Sequence, residues 1–413
     1  MKGFFQLLSS SEFRALFAQF HALQEERISM NNGLGRILAR DITAPEPLPP
    51  FSRSTMDGYA VRAQNTFGCS ESEPALIEIA GEISMGKPGR ELSLKNGQAA
   101  AISTGGELPQ NSDAVVMIEY SSRLDDRIVE IFRPVAPGEN VIQCGEDFAR
   151  DAVVLTRGHQ LRPQDLGVLS GLGISRIPVY RQPVVAIIST GDELVEPDKP
   201  LLPGKIRDIN STTLAALVQE SGGIPVPLGI VGDEFDRMFA ACTKALEIPA
   251  DMVLLSGGSS VGRRDFTLKV LEGIAGTELL AHGVSIRPGK PTILARRDNV
   301  ALFGLPGHVG SAIVVFHLFV RPLLRKLSGC GITSGLQRIQ TVTGEQIPSV
   351  IGREDYIRVS LKWDESGTPP TAMPIYGKSG LLNPLIRAQG LLMVDRDTEG
   401  LDQGETAEVI LFI

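Results

Sequence analysis

The stretch VVAIISTGDEL, Val184–Leu194, decides the fold. Val184–Ile188 is an unbroken apolar, β-branched run with no alternating polar face. Such a run suits a strand buried on both sides, inside a parallel sheet covered by helices. Downstream, Thr212–Gln219 reads as a helix, Ile224–Ile230 as a strand and Phe235–Leu246 as a helix. Met252–Leu255 and Val300–Phe303 follow as strands, the latter before a long helix after Leu305. Strands alternating with helices predict a doubly wound parallel α/β unit, whose ligands bind beyond the C-terminal strand ends.

The chain changes character on either side of this unit. Phe13, Leu16, Phe17, Phe20 and Leu23 fall at helical spacing and predict an amphipathic helix over Ser11–Leu23. A second short helix is expected around Leu34–Arg40 and another over Arg162–Leu172. Between them, Pro45–Pro50 cannot be helical and reads as an extended connector. Short β-type runs then alternate with Gly/Pro turns: Ala75–Ile79, Gln98–Ile102, Ala114–Ile118 and Arg127–Phe132. After residue 330 short strands return, at Ile339–Val342, Ile357–Leu361, Leu391–Val394 and Ala407–Phe412. The expected class is therefore α/β multidomain: a helical unit of residues 1–47 plus 148–181, a β-rich insertion of 48–147, the α/β unit of 182–329 and a β-barrel-like unit of 330–413.

The 413 residues carry 42% hydrophobic and 21% charged side chains, the balance of a globular protein rather than a disordered one. A net charge of −8 and an aromatic share of 5% disfavour a nucleic-acid or anionic-lipid partner held by whole-protein charge or base stacking. Four cysteines (Cys69, Cys144, Cys242, Cys330) form no CxxC pair, which argues against structural zinc and suits a reducing cytosol. The opening MKGFFQLLSSSEFRALF does not read as a signal peptide. The longest apolar run, Val309–Val320, holds His317 and is too short to span a bilayer, so a buried helix and a cytoplasmic protein are expected.

Chemistry gathers at the predicted strand ends. Ser189, Thr190 and Gly191 would let a ligand approach the backbone, and Asp192 and Glu193 offer oxygen ligands for Mg²⁺, or merely form an acidic turn. Ser256-Gly257-Gly258-Ser259 follows its strand directly and supplies free N–H groups and hydroxyls for an oxyanion. Asp265 comes shortly after. Arg287 and Lys290 flank a rigid Pro-Gly turn and could neutralise an anion, or be a solvated basic turn. Pro306-Gly307-His308 opens the last long helix, where His308 could equally cap or pack. In the insertion, Asp57 within FSRSTMDGYAV, Thr104 within STGG and Asp147 within GED could present ligands or simply turn the chain.

The order of these elements is diagnostic. GLGRILARDITAP, PPFSRSTMDGYAV, ISTGGELPQNSDAVV, GEDF, LGISRIPVYRQPVVAIISTGDEL, GKIRDINS, SGGSSVGRRDF, RPGKP and LPGH occur in sequence along essentially the whole chain. In that order they resemble the MoeA-type molybdopterin molybdenumtransferases, to which the C-terminal domain of gephyrin is related. The resemblance implies an elongated four-domain homodimer with its active site between the α/β unit of one copy and the MDGYA-bearing unit of the other. It implies that molybdate is inserted into adenylylated molybdopterin, with Mg²⁺-dependent cleavage of the adenylyl group and release of AMP. Asp57, Thr104, Asp147, Glu193 and Asp265 would then be catalytic, with Asp57, Asp192, Glu193 and Asp265 as Mg²⁺ ligands. Ser189, Thr190, Gly191, Asp192, Ser256, Gly257, Gly258, Ser259, Arg287, Lys290, Pro306, Gly307 and His308 would bind substrate. A molybdopterin adenylyltransferase and apo-molybdoenzymes are the implied transient partners.

The chemistry agrees with that assignment. Molybdate is a doubly charged oxyanion and calls for fixed donors and cations, while the dithiolene sulfurs of the pterin supply the soft ligands, so no cysteine cluster is needed. Where the family commonly reads LPGNPVS, this chain has LPGHVGS at Leu305–Ser311. Two other readings stay open: an adenylyltransferase-like step, and a non-catalytic pterin scaffold or carrier. Tungstate in place of molybdate is also open.

Overall fold

The computed structural model describes residues 7–257, 266–331, 335–364 and 369–412. Its centre is a six-stranded sheet in the order Ile224–Val231, Val184–Thr190, Met252–Ser256, Val300–Leu305, Ile293–Arg297, Thr277–His282. The first four strands are parallel, as the apolar runs predict. The last two are antiparallel, so the sheet is not parallel throughout. Only Asp298 and Asn299 separate Arg297 from its partner Val300, and a two-residue loop can join only antiparallel strands.

Alternate residues of the central strands face opposite layers. Val185 and Ile187 pack with Leu214, Val218, Phe316 and Phe319, whereas Ala186 and Ile188 pack with Met238, Cys242, Val270 and Leu271. All of these are fully buried, so truncating one such as Ile187 to Ala would cost about 2–5 kcal/mol. The run Val309–Val320 is buried helix, as expected, continuing through a π-type turn into Arg321–Leu327. Among the described residues no helix is long and apolar enough to cross a membrane.

At the N-terminal end the helix is shorter than its periodicity suggests: Ser10–Ala15 is α-helical and Leu16–Gln19 a 3₁₀ turn. Ser9 and Glu12 form a reciprocal capping box at its start. Phe13, Phe17 and Phe20 bury into the core of the α/β unit, with Phe13 against Phe319 at 4.4 Å between ring centroids. The expected helix at Leu34–Arg40 does not form. Gly35 takes a positive φ of 74° and Ile37 and Leu38 bridge to Gln160 and Val179, so this segment joins a β-type core of Leu38, Leu161, Leu169, Ile177 and Val179. Pro163–Gly171 is helical, as read from the sequence.

The insertion forms its own six-stranded sheet, with Gly58–Val61 between Ala114–Met117 and Gln98–Ile102. Gly58 is required there, since a Cβ would sit 1.9 Å from the Val116 carbonyl oxygen. In the C-terminal unit Glu354–Lys362, Thr371–Pro374, Arg338–Thr343, Thr406–Leu411 and Gly390–Val394 pair in turn, and the last returns to pair with the first. That closes these strands into a five-stranded barrel. Ile286–Arg287 of the α/β unit lies along its Glu354–Asp355 edge.

Candidate active site

The chain order of the parallel strands reverses between Val184–Thr190 and Met252–Ser256, so their C-terminal ends form the crevice where doubly wound folds bind ligands. Ser189, Thr190 and Ser256 are all buried here. The Thr190 hydroxyl donates to the Ser256 carbonyl at 3.4 Å. Gly257, at φ 109°, lies so close that a Cβ would stand 2.4 Å from the Thr190 carbonyl oxygen, and Gly307 packs against Gly257 in turn. Ser189, Thr190, Gly191, Ser256, Gly257, Pro306 and Gly307 therefore form one continuous floor.

The floor is bolted by residues that were not singled out from the sequence. The Asn210 amide donates to Ser256 Oγ at 2.6 Å and to the Gly307 carbonyl at 2.8 Å, tying two strand ends together. Ser211 Oγ stands 2.8 Å from Ser189 Oγ and donates to the Asp208 carboxylate at 2.5 Å. The Lys205 ammonium reaches the Asp192 carbonyl. All four belong to GKIRDINS, a stretch whose polar residues before a helix were the available signal.

The acidic pair divides. Asp192 Oδ1 accepts the Asp233 N–H at 3.1 Å and packs over the Gly232–Asp233 turn of the neighbouring strand. Glu193 folds back over Gly191, its carboxylate within 2.8–2.9 Å of where a Cβ would be. Both carboxylates are exposed. Gly258, Ser259 and Asp265 lie outside the described residues.

Arg287 and Lys290 reach the same end of the sheet, because the next strand starts with Ile293 paired to Gly304, near the end of its neighbour. Lys290 is exposed, and Arg287 stands 3.5 Å from the buried Asp355 of the barrel, a carboxylate that Arg353 also pairs at 2.9 Å. His308 occupies the N-cap position of its helix, but its exposed side chain makes no capping bond and its Nδ1 lies 3.1 Å from Ser379 Oγ. Beside it the Gly310 N–H donates to the Ser379 carbonyl at 2.9 Å, and a Cβ at 310 would come within 2.8 Å of that oxygen. His308 and Gly310 of LPGHVGS are thus the seat of the barrel's Ser379 loop.

In the insertion, Asp57 and Thr104 do come together: Asp57 Oδ1 accepts the Thr104 N–H at 2.7 Å and its hydroxyl at 3.2 Å. Ser54 joins their two loops, exchanging main-chain bonds with Gly105 and Gly106. Asp147 sits on the next loop, where its N–H bonds to the Leu48 carbonyl, and the adjoining Val141–Ile142 pairs with Arg53–Ser54. The hydrogen bonds that hold Asp57 stay within the insertion, and those that hold Asp192 stay within the α/β unit. Among the described residues no three His, Cys, Asp or Glu side chains converge on a metal position, so Asp57, Asp192 and Glu193, the described carboxylates read as Mg²⁺ ligands, are not gathered into one cage.

Fold and site together define a multidomain α/β protein with polar strand ends and a basic turn at one end of its central sheet. Comparison with known proteins gives the family. Residues 8–173 match the MoeA N-terminal region (domains I and II), 186–326 a probable molybdopterin binding domain, and 340–412 the MoeA C-terminal region (domain IV). The chain is 33% identical over 391 residues to the molybdopterin molybdenumtransferase of Bacillus subtilis, covering 94% of this chain and 90% of that one. Against the molybdopterin molybdenumtransferase of Haemophilus influenzae it is 32% identical, covering 94% and 93%. The crystal structure of a molybdopterin biosynthesis MoeA protein from Pyrococcus horikosii superposes with a TM-score of 0.85 at 35% identity, covering 99% of this chain and all of that one. The chain belongs to the MoeA family.

Proposed function

We propose that this chain is a molybdopterin molybdenumtransferase that inserts molybdate into adenylylated molybdopterin and releases AMP. The observation that carries the reading is the floor at the switch point: Thr190, Ser256, Gly257 and Gly307 in contact, braced by Asn210. Fixed hydroxyls and close-approach glycines position an anionic ligand without reorganising, which is where positioning and electrostatic catalysis gain most. Lys290, with Arg287 beside it, neutralises phosphate and molybdate charge.

The donor set fits Mg²⁺. This ion is usually held by one or two carboxylates plus substrate phosphates and keeps its remaining waters, so a complete protein cage is not required. Asp192 and Glu193 would hold it, and when bound it would supply charge neutralisation at the phosphoanhydride. Asp57, with its carboxylate fixed by Thr104, is an exposed acceptor able to orient a water or a substrate hydroxyl. Because each half-site is held within its own unit, a homodimer would bring one copy's Asp57–Thr104 pair to the floor of the other. A molybdopterin adenylyltransferase would supply the substrate and apo-molybdoenzymes would take the product.

The test is AMP release from adenylylated molybdopterin by the purified protein with Mg²⁺, with and without molybdate, and with tungstate in parallel. Molybdate-dependent AMP release, with cofactor that reconstitutes an apo-molybdoenzyme, is expected. Tight pterin binding without turnover would instead favour the carrier reading, and ATP-dependent adenylylation of molybdopterin would favour the adenylyltransferase.

A further inference from the structure

A cavity of about 370 Å³ opens at the opposite end of the α/β sheet from the strand-end floor, on the seam with the first unit. It lies where the helices Asn210–Glu220 and Arg321–Leu327 finish, next to the entry to Val184–Thr190. Four arginines line it: Arg36, Arg181, Arg321 and Arg325. Three have carboxylate partners. Arg36 pairs with Glu26, Arg181 forks onto Asp251 at 2.5–2.6 Å, and Arg321 meets Glu220 at 2.8 Å.

Arg325 differs. Its acceptor is the neutral Gln160 side chain at 3.4 Å, its buried Nε has no partner, and no ion pair to it occurs among the described residues. A cation in the last turn of a helix is favourable to the helix dipole, but that leaves its donors unmet. Gly335 packs against the guanidinium, with a Cβ there only 2.7 Å from Cζ. A guanidinium short of acceptors, lining a cavity of ligand size, is complementary to a carboxylate or phosphate group.

We infer that this cavity is a second anion site, in which Arg325 receives the oxyanion group of a small carboxylate or phosphate. The site is separate from the strand-end floor and does not rest on the activity proposed above.

Isothermal titration of the full-length protein with inorganic phosphate and, separately, succinate tests the inference and distinguishes the two chemistries. Saturable binding by at least one of them is expected, at millimolar or tighter affinity. Arg325→Gln should weaken it ten-fold or more, and Lys290→Ala, at the other end of the sheet, should leave it unchanged. Arg325→Lys keeps the charge and loses the fork, and should weaken binding several-fold; it carries the test if Arg325→Gln does not fold. No saturable binding by either anion, or binding lost in Lys290→Ala and kept in the Arg325 variants, would overturn the inference.

Discussion

The two polar clusters proposed to act together are built in opposite ways. At the strand ends Ser189, Thr190 and Ser256 are buried, and Asn210 and Ser211 lock them from a third element. In the insertion Asp57 and Thr104 are exposed and hold each other at a loop surface. The first is a rigid floor whose geometry is inseparable from stability. The second is a displayed pair that can be altered with little effect on its own fold. Binding and chemistry should therefore separate under mutation.

The largest effect expected is on chemistry. Asp57→Ala should reduce AMP release at least about 100-fold, the range for a lost acid–base or water-positioning group, with the melting temperature unmoved. Wild-type turnover in this variant would remove Asp57 from the mechanism and break the comparison. Gly257→Ala should show the opposite pattern. Its Cβ would meet the Thr190 carbonyl at 2.4 Å, so urea unfolding should register a loss of about 3 kcal/mol along with weaker pterin binding. A stable variant that binds normally would mean the floor is not rigid.

A pH experiment probes the support beneath the floor. Burial, with Arg321 adding to it, lowers the His317 pKa to about 3, where the ring stacks on Phe412. The folded state then carries neutral His317, while the unfolded chain takes up a proton below about 6.5. This contribution is complete above that pH and is lost as pH falls towards 3. From pH 6.5 to 5 the loss is about 1.6 kcal/mol, the slope reaching 1.36 kcal/mol per unit only well below 6.5. The wild-type urea midpoint should therefore fall relative to that of His317→Leu as pH drops, and parallel pH profiles would refute it. The smallest effect should come from His308→Ala. Its exposed bond to Ser379 contributes about 0.5–1 kcal/mol, so overall stability should barely change while amide exchange near Ser379 quickens. Unchanged exchange there would show that Gly310 alone seats the loop.

Much of the floor could be read locally. A strand buried on both faces needs a continuous apolar run, and the residues just after such a run must lie at the sheet's end, so Ser189–Gly191, Ser256–Gly257 and Pro306–Gly307 were visible as a set. The bolt was not. Asn210 reaches partners 46 and 97 positions away, and nothing in the neighbouring residues encodes which strand ends its amide will span. The Leu34–Arg40 helix failed for a related reason, as Ile37 and Leu38 found strand partners at Gln160 and Val179 that outweighed their local pattern. The hairpin at Asp298-Asn299, by contrast, was a local turn signal for the antiparallel edge that the long apolar strands overshadowed.

The sequence by itself determined the parallel strands of the central sheet, the glycine-bearing turns at their ends and the order of motifs that marks the family, because hydrophobic period and glycine placement act over a few residues. Only the tertiary structure decided that Asp192 turns to the Asp233 loop while Glu193 folds over Gly191, that Arg287 meets Asp355, and that His308 meets Ser379, 71 positions away. Those choices depend on which surfaces the packed units bring within hydrogen-bond range, and a directional bond of about 3 Å is fixed only once both partners' backbones are in place.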